Sequence, residues 1–496
     1  MNRAARSLMV WGTSSGAGKS WLTTALCRVA RRRGIAVAPF KAQNMSNNAR
    51  VVPGGQGEPG EIGSAQYFQA LAAGVLPEVD MNPVLLKPER DTASQVVLQG
   101  RVDAALSRMP WRERSDRLAA AARESFHRLA SRHELVVIEG AGSPAEINLA
   151  EHDYVNLATA RWARDLGGLQ CVLVSDIDRG GAFAHLYGTW ALLPQDLRHS
   201  LSGFVLNKFR GDAGLLAPGP QQLQELSGVP VIGTLPMRRD HGLPEEDGVF
   251  DDGASGSGAV KLRVAVIATP HISNLDEFQP LKRVPGLWLV WARTPAALEG
   301  ADWIVLPGSK QVSGDLAWLR AQGLDQAIRA HAAAGRPVLG ICGGLQMLGE
   351  HLSDPAGFDG EPHAQLAGLG LLPLGTRYEA CKKLVRTRAT FTRTQGAWSA
   401  LSGVAADGYE IRHGSTQALS SCGAVLQDAQ GEPIGWQHGP VLGVYAHGLF
   451  ESPAVLRALF GAEVPLLDDA FDTLADMVEE HIDARALDRL LGKDWT

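Results

Sequence analysis

The sequence has 496 residues, of which 45% are hydrophobic and 20% charged, and a formal net charge of -6 at pH 7. This composition is ordinary for a globular protein, and at roughly 150 residues per domain the length predicts two to three domains. The negative charge argues against general nucleic-acid binding, which needs a basic face.

Neither a membrane segment nor a secretory leader is visible in the sequence. No run approaches the roughly 20 uncharged apolar residues that span a bilayer, and residues 1–6 lead straight into an apolar run. The five cysteines are scattered and contain no CxxC pair, which argues against a disulfide framework or a zinc site. We therefore expect a cytoplasmic protein with free thiols and without a membrane or nucleic-acid partner.

The first half of the chain alternates apolar runs with helical segments. An apolar run at 7–12 precedes a glycine-rich turn and a predicted helix from about Lys19 to Arg33. Further apolar runs lie at 35–40, 135–139, 171–175, 203–206 and 229–232. Alternation of this kind predicts a largely parallel sheet with helices on both faces.

A polar segment, DDGASGSG at 251–258, then predicts a flexible linker. The alternation restarts after it, with apolar runs at 262–268, 287–291, 303–306, 338–341 and 441–445. We predict an α/β fold of two domains, each a mostly parallel sheet covered by helices. The predicted boundaries are 1–250 for the first domain, 251–260 for the linker, 261–455 for the second domain and 456–496 for a C-terminal helical segment.

The glycine-rich turn reads GTSSGAGKS at 12–20, between a strand and a helix. Bare glycines let backbone N–H groups converge on phosphate oxygens, and the helix N-terminus adds a favourable dipole. Lys19 would neutralise the β and γ phosphates of ATP, and the Ser20 hydroxyl would hold Mg²⁺. The residues expected to bind ATP in this turn are Thr13, Gly16, Gly18, Lys19 and Ser20. Their spacing resembles that of dethiobiotin synthetase, and Ser14 stands where the dimerising partition ATPases have a lysine.

Two further strand ends carry polar residues that fit the same edge of the sheet. Glu139 ends an apolar run, and we expect its carboxylate to bind Mg²⁺ together with Ser20. A simple strand-ending turn is the alternative for this segment. Asn207, followed by Lys208, comes after another run and would contact adenine, unless it belongs to an ordinary polar loop.

The second half contains a candidate nucleophile. VLGICGGLQM at 338–347 reads as a strand, a sharp turn and a helix, with Cys342 at the turn. Small neighbours permit the tight backbone, and the helix N-terminus favours a thiolate. The backbone N–H groups of Gly308 and Gly343 would form an oxyanion hole. A thiol nucleophile also needs a base, and His447 ends a later apolar run. A lone histidine is more often structural, so choosing His447 among the 14 histidines rests mainly on the resemblance described next.

GICGGLQMLG with a distant strand and histidine resembles the class I glutamine amidotransferases. The acid that most of them carry two residues after the histidine is replaced by Leu449, which is typical of the cobyrinate amidotransferase branch. Within that branch the chain is similar to the cobyric acid synthases over nearly its whole length. The matching stretches include APFKAQNMSNNA at 38–49, EGAGSPAEINL at 139–149, GFVLNKFRGD at 203–212, GYEIRHG at 408–414 and YAHGLFE at 445–451.

The resemblance implies an ATP-dependent synthetase domain at 1–250 and a class I glutaminase domain at 261–455. The implied reaction amidates the b, d, e and g carboxylates of a corrinoid, adenosylcobyrinic acid a,c-diamide, with glutamine as nitrogen donor. It uses ATP and Mg²⁺ and no tightly bound organic cofactor. The residues that we associate with the substrate are Lys41, Gln43, Asn44 and Asn47 as corrinoid ligands, and Glu146 and Asp153 for orienting ammonia or binding Mg²⁺. A plain polar loop is the alternative for the first four.

Two rival functions remain open from the sequence. The first is the sister enzyme that amidates only the a and c carboxylates of cobyrinic acid. The second is a partition-type ATPase switch with an inert amidotransferase-like module, which Ser14, Cys342 and His447 all argue against. A basic stretch at 377–388 would attract an acidic substrate, but a solvated charged surface is the simpler interpretation.

Overall fold

A computed structural model describes residues 5–90, 93–238, 243, 255–464 and 467–492. The strands of the first domain are β1 (Arg6–Gly12), β2 (Val37–Phe40), β3 (Gln43–Met45), β4 (Ala49–Pro53), β5 (Pro59–Gly63), β6 (Val84–Arg90), β7 (Ala93–Leu98), β8 (Arg101–Val102), β9 (Leu135–Glu139), β10 (Leu169–Asp176), β11 (Leu201–Phe209) and β12 (Val231–Pro236). Its helices are α1 (Lys19–Arg32), α2 (Ser64–Ala73), α3 (Ala104–Arg108), α4 (Trp111–Ala130), α5 (Thr159–Gly167), α6 (Ala182–Leu192), α7 (Gln195–Arg198) and α8 (Gly219–Ser227).

The central sheet of the first domain is parallel, with strand order β12-β11-β10-β1-β9-β2. Strands such as β9 are buried along their whole length because helices cover both faces, which explains their continuous apolar runs. The carboxyl ends of β1, β9, β10 and β11 share one edge, so the residues that follow them gather there. The first domain therefore has the predicted α/β architecture.

Helix α1 illustrates how the local sequence determines the ends and the buried face of a helix in the first domain. Its apolar residues Leu22, Leu26 and Val29 recur at helical spacing and are buried, forming one face against the sheet. The helix begins after Gly18, whose φ of 101° suits glycine, and the chain turns away at Gly34 with φ of 72°.

In the second domain the strands are β13 (Ser255–Ile267), β14 (Ile272–Ser273), β15 (Pro285–Ala292), β16 (Trp303–Leu306), β17 (Gly308–Ser309), β18 (Val338–Ile341), β19 (His351–Asp354), β20 (Ala364–Ala367), β21 (Leu374–Phe391), β22 (Ala405–Ala418), β23 (Gly423–Gln427), β24 (Pro433–His438) and β25 (Val441–Val444). The helices that follow α8 are α9 (Val312–Ala321), α10 (Leu324–Ala333), α11 (Gly343–Leu348), α12 (Pro453–Phe460), α13 (Leu467–His481) and α14 (Ala484–Leu491).

The sheet of the second domain is parallel in one half and largely antiparallel in the other. Its order is β15-β13-β16-β18-β25-β24-β23-β21-β19-β20, with β22 paired to β21. The strands from β15 to β25 run parallel, as predicted, whereas β25, β24, β23 and β21 pair antiparallel. The structure thus confirms the two-domain α/β fold and adds an antiparallel extension.

The predicted linker at 251–260 is wrong for its second part. Residues 255–260 begin β13, and Gly256 stands opposite Trp288 of β15. Backbone pairing uses N–H and C=O groups, so a run of Ser and Gly can extend a strand without apolar side chains. Residues 251–254 lie outside the described part of the chain.

The C-terminal helices divide between the two domains. Helix α12 packs in the core of the second domain, but α13 and α14 return to the first domain and pack beside α1. Phe471, Leu474 and Val478 are buried there, and Arg28 of α1 donates to both carboxylate oxygens of Asp472. The predicted helical C-terminus is therefore part of the first domain from α13 onward. Of the helices described, none is both long and apolar enough to cross a membrane.

The packing of α13 predicts the effect of truncating its buried face. Leu474→Ala should lower the free energy of unfolding of the first domain by about 2–5 kcal/mol, because it leaves a cavity beside α1. Glu480→Ala, on the exposed face of the same helix, should change it by less than about 0.5 kcal/mol. Urea titration of both variants measures the difference, and equal effects would contradict the described docking of α13.

Candidate active sites

Cys342 occupies the turn between β18 and α11 with φ of 52° and ψ of -104°, a region that non-glycine residues rarely adopt. The turn fits only because its neighbours are small: a Cβ on Gly344 would lie 2.0 Å from the carbonyl oxygen of Leu306. The side chain is 6% exposed and its Sγ lies 3.5 Å from the carbonyl oxygen of Ile411. This geometry is that of a thiol held at a sharp strand-to-helix turn.

His447 is brought to Cys342 and is held by an acid that the sequence motif does not contain. Its Nδ1 lies 3.1 Å from Oε1 of Glu277, and the backbone N–H of Gly448 donates to Oε2 of the same carboxylate at 3.1 Å. A carboxylate only accepts, so Nδ1 carries the proton and the other ring nitrogen is left for Cys342. Glu277 lies 170 residues before His447, on a 3₁₀ helix at Leu275–Arg283.

The environment of His447 favours its protonated form. Burial by itself would lower the pKa of His447, but the charge of Glu277 and the interaction with Cys342 outweigh it and raise the pKa to about 10. The position two residues after His447 is Leu449, which is buried and apolar, as the sequence indicated. Glu277 therefore supplies the acid that position 449 lacks.

Both residues predicted for the oxyanion hole lie at this site. A Cβ on Gly308 would lie 2.8 Å from Cε1 of His447, and a Cβ on Gly343 would lie 2.8 Å from the backbone nitrogen of Ser309. Glycine is thus needed at both positions for close approach. The backbone N–H of Ser309 is an additional donor beside the turn. The Ser309 hydroxyl is held in place because it donates to Asp315 at 2.6 Å.

A cleft beside Cys342 is lined by both domains. The first domain contributes Asn47, Lys87 and Gln95. The second domain contributes, among others, Ser273, Lys310, Gln346, Asp359, Tyr378, Lys382, Arg412 and His413. Most of the lining residues are polar, which suits a small polar substrate.

The phosphate turn and the Glu139 carboxylate lie together at the edge of the first sheet. Ser20 Oγ donates to Glu139 Oε1 at 2.7 Å, and Lys19 Nζ donates to the carbonyl oxygens of Ser14 and Gly142 at 2.9 and 3.1 Å. These contacts hold the Lys19 side chain between the phosphate turn and the loop that follows β9. The described residues contain no group of three or more His, Cys, Asp or Glu side chains that would hold a metal.

Glu139 is a buried carboxylate surrounded by donors. Lys41 Nζ lies 2.8 Å from Oε1, and Gln69 donates to Oε2 at 2.6 Å. Burial would raise the pKa of Glu139, but Lys41 first, then the hydrogen bonds from Lys41, Ser20 and Gln69, lower it overall. Glu139 is therefore held ionised beside the phosphate turn.

Asn207 reaches the phosphate turn from the end of β11. Its Nδ2 donates to the carbonyl oxygen of Ala17 at 2.9 Å, and a Cβ on Gly18 would lie 2.0 Å from this nitrogen. The following Lys208 has φ of 60° and donates to the carbonyl oxygen of Gly16 at 2.9 Å. Thr13 Oγ1 donates to Ser175 at 3.1 Å, so side chains from neighbouring strands fix the turn.

The residues associated with the corrinoid do not form one group. Lys41 contacts Glu139, Gln43 accepts from Tyr154, and the buried Asn44 donates to Gln66 at 3.0 Å. Asn47 lies apart from them, in the Cys342 cleft. The structure therefore separates Asn47 from the set with which the sequence grouped it.

Glu146 and Asp153 also have different surroundings. Glu146 is exposed on the loop after β9. Asp153 is half-buried and accepts from the backbone nitrogen of Asn156 at 2.7 Å, so it caps the turn Tyr154–Ala158. Burial raises the pKa of Asp153 despite this hydrogen bond. The capping hydrogen bond explains the position of the Asp153 side chain without a bound ligand.

The basic stretch at 377–388 is only partly a solvated surface. Arg377, Arg386 and Arg388 are exposed, as expected, whereas Lys382 turns inward to Glu61 of the first domain. Glu61 also pairs with Lys87 at 2.6 Å. Although burial would raise the pKa of Glu61, the two lysines lower it to about 2, so this inter-domain cluster contains a firmly ionised carboxylate.

Comparison with known proteins identifies the family. Residues 8–248 match the CobQ/CobB/MinD/ParA nucleotide binding domain, and residues 263–455 match the CobB/CobQ-like glutamine amidotransferase domain. A cobyric acid synthase of Methylibium petroleiphilum is 62% identical over 99% of this chain and 98% of its own length. The chain belongs to the cobyric acid synthase family. A cobyric acid synthase of Variovorax paradoxus is likewise 62% identical, over 98% of this chain and 99% of the relative. Membership makes the chain a glutamine amidotransferase of the ligase class.

The contact between Glu277 and His447 predicts the behaviour of two variants. Glu277→Gln should lower the kcat of glutamine hydrolysis by about 10²- to 10⁴-fold, because an amide neither fixes the Nδ1 proton nor stabilises the charged imidazole. Leu449→Met should retain nearly full activity, since position 449 supplies packing only. Steady-state glutamate release measures both, and a severe loss in Leu449→Met with an active Glu277→Gln would reverse the assignment of the acid.

Proposed function

We propose that the chain converts the b, d, e and g carboxylates of adenosylcobyrinic acid a,c-diamide into amides, using ATP and glutamine. The family name of its relatives supports this choice over the a,c-diamide synthase. One observation supports the proposed reaction most directly. The same chain contains the Cys342–His447–Glu277 site and a phosphate turn beside the ionised carboxylate of Glu139.

The phosphate turn would activate the carboxylate. Lys19 and the backbone N–H groups of the turn would bind the phosphates of ATP and stabilise charge on the transferred γ-phosphoryl group. A substrate carboxylate oxygen attacks phosphorus, ADP leaves, and an acyl phosphate results. Activation is needed because an ionised carboxylate is a poor acyl donor: its carbon is weakly electrophilic and it lacks a good leaving group.

Ser20 and Glu139 fit a magnesium ion. They are a hydroxyl and a carboxylate 2.7 Å apart, and Mg²⁺ is commonly held by one or two carboxylates together with substrate phosphates. When bound, the ion would neutralise phosphate charge. Lys41, which contacts the same oxygen of Glu139, would keep that carboxylate ionised and in place.

Cys342 would supply the nitrogen. Its thiolate attacks the side-chain amide carbon of glutamine, and N–H groups of Gly343 and of the 308–309 strand stabilise the oxyanion. His447 donates a proton to the departing nitrogen, ammonia leaves, and water hydrolyses the glutamyl thioester. The ammonia then attacks the acyl phosphate, and phosphate leaves as the amide forms.

Asn207 and the corrinoid ligands remain part of the proposal. We assign Asn207 to the adenine side of the nucleotide, because it reaches the phosphate turn from the end of β11 and donates to Ala17. Lys41, Gln43 and Asn44 are retained as candidate ligands of the reacting carboxylate. Lys41 contacts Glu139, Asn44 donates to Gln66, which itself donates to Glu139 at 3.4 Å, and Gln43 is their neighbour in the segment. The free Cys342 thiol suits a reducing compartment, so we propose a cytoplasmic location.

Mass spectrometry of the products tests the proposed reaction. The a,c-diamide, ATP and glutamine should give a product with four further amides, while cobyrinic acid itself should be a poor substrate. A product from cobyrinic acid that carries only two amides would instead support the a,c-diamide synthase. Turnover of ATP without any amide product would support the ATPase switch.

Cys342→Ala should abolish amidation with glutamine and leave amidation with ammonium chloride close to wild type, because the thiol serves only to release ammonia. Cys381→Ala, which removes an exposed thiol, is the matched control and should keep both activities. Glutamine-dependent synthesis by Cys342→Ala would show that the nucleophile lies elsewhere.

Lys19→Ala should reduce amidation with either nitrogen source by roughly 10²- to 10³-fold, since the charge on the transferred phosphoryl group loses its cation. The exposed Lys261→Ala serves as control. Product formation should be followed with both glutamine and ammonium chloride. Normal ammonium-dependent synthesis in Lys19→Ala would show that this turn has no catalytic role in amidation.

A further inference from the structure

We propose that Arg50 of the first domain is a positioning residue for the glutaminase site of the second domain. The inference rests on the proposed roles of Cys342 and His447. It assigns to the first domain a part of the machinery that holds His447 in place, so that glutamine hydrolysis depends on the contact between the domains.

Arg50 joins two segments that build the surroundings of His447. It lies in β4, is 2% exposed, and its Nε donates to Oδ2 of Asp276 at 2.9 Å. Its Nη1 donates to Oε2 of Glu451 at 2.8 Å. Asp276 immediately precedes Glu277, the acid on His447, and Glu451 lies on the turn that follows His447. One guanidinium from the first domain therefore links the segment of the acid with the segment of the histidine.

A third contact reaches His447 through an aromatic ring. The Arg50 guanidinium carbon lies 5.0 Å from the ring centre of Tyr409, and the Tyr409 ring stacks on the His447 ring with centres 5.3 Å apart and planes at 21°. The backbones of Tyr409 and His447 also exchange hydrogen bonds of 3.3 and 2.9 Å. Behind Arg50, the ring of Phe68 from the first domain lies 5.0 Å away. Arg50 is thus held between aromatic rings of the two domains.

The arrangement depends on the positive charge of Arg50, because several carboxylates surround it. Asp276 and Glu277 are adjacent buried carboxylates, 2% and 0% exposed, and the partly exposed Glu451 binds the same guanidinium. Without the guanidinium, Asp276 would be a buried charge that lacks its ion-pair partner, which is strongly unfavourable. Movement of Asp276 would then shift Glu277 and the ring that it orients.

The same geometry argues that Arg50 does not bind glutamine. The cleft beside Cys342 is lined by Asn47 of the preceding loop, whereas Arg50 is not among its lining residues. Loss of Arg50 should therefore affect the rate of glutamine hydrolysis rather than glutamine binding. It should also spare the phosphate turn at 12–20, because it is Lys41, at the other end of the 41–50 segment, that contacts the Glu139 carboxylate beside that turn.

The test uses Arg50→Gln and Arg50→Lys in the full chain. Arg50→Gln should lower the kcat of glutamine hydrolysis by about 10- to 100-fold, since a misplacement of about 1 Å can cost roughly 10²-fold. The KM for glutamine should stay within about twofold. Arg50→Lys, which restores the charge without the bidentate geometry, should recover part of the loss. Amidation with ammonium chloride should be unchanged in both variants.

Arg28→Gln is the matched control. It also removes an arginine that pairs with two carboxylates, Asp468 and Asp472, but these lie on α13 and not at the glutaminase site. Its glutamine hydrolysis should equal that of wild type. A wild-type rate in Arg50→Gln would overturn the inference, and so would equal loss of the glutamine and ammonium reactions, which indicates general damage to the fold. Absence of glutamine hydrolysis in the wild-type protein would instead overturn the proposed function.

Discussion

The contact between His447 and Glu277 is the constraint on which the second domain depends. A histidine 1% exposed can act beside Cys342 only if an acid fixes its ring and offsets the cost of burying its charge. The acid comes from a 3₁₀ helix distant in the sequence, so the fold must bring Leu275–Arg283 against the end of β25. The strained turn at Cys342 and the glycines around it then complete a site that no single motif contains.

The boundary between the domains takes part in both candidate sites. The segment 41–50 begins at Lys41, which contacts Glu139, passes Asn47 in the cleft of Cys342, and ends at Arg50 against Asp276. Ten residues of backbone thus connect the carboxylate at the phosphate turn with the surroundings of the histidine. Such a connection suits a reaction in which ammonia released in one domain is consumed in the other, because the same segment of backbone borders both sites.

Local patterns in the sequence were sufficient to predict β1, the phosphate turn, β18 and the cysteine turn. Each combines an apolar run with glycines at fixed spacing, and the residues that determine such elements are neighbours in the chain. Glu277 could not be found in this way, since a lone acid on a 3₁₀ helix has no local signature and its partner is 170 residues away. The antiparallel half of the second sheet and the start of β13 were missed because strand pairing there is set by distant partners and by backbone hydrogen bonds.

In the proposed reaction, the amide nitrogen of glutamine passes from the Cys342 site to the phosphate turn within one molecule. The most direct test supplies [amide-15N]glutamine, ATP and the corrinoid a,c-diamide together with excess unlabelled ammonium chloride, and measures the isotope content of the new amides by mass spectrometry. If the nitrogen passes in this way, the new amides will carry mainly the glutamine label despite the unlabelled ammonium. Amides with the isotope ratio of the bulk ammonium would contradict it.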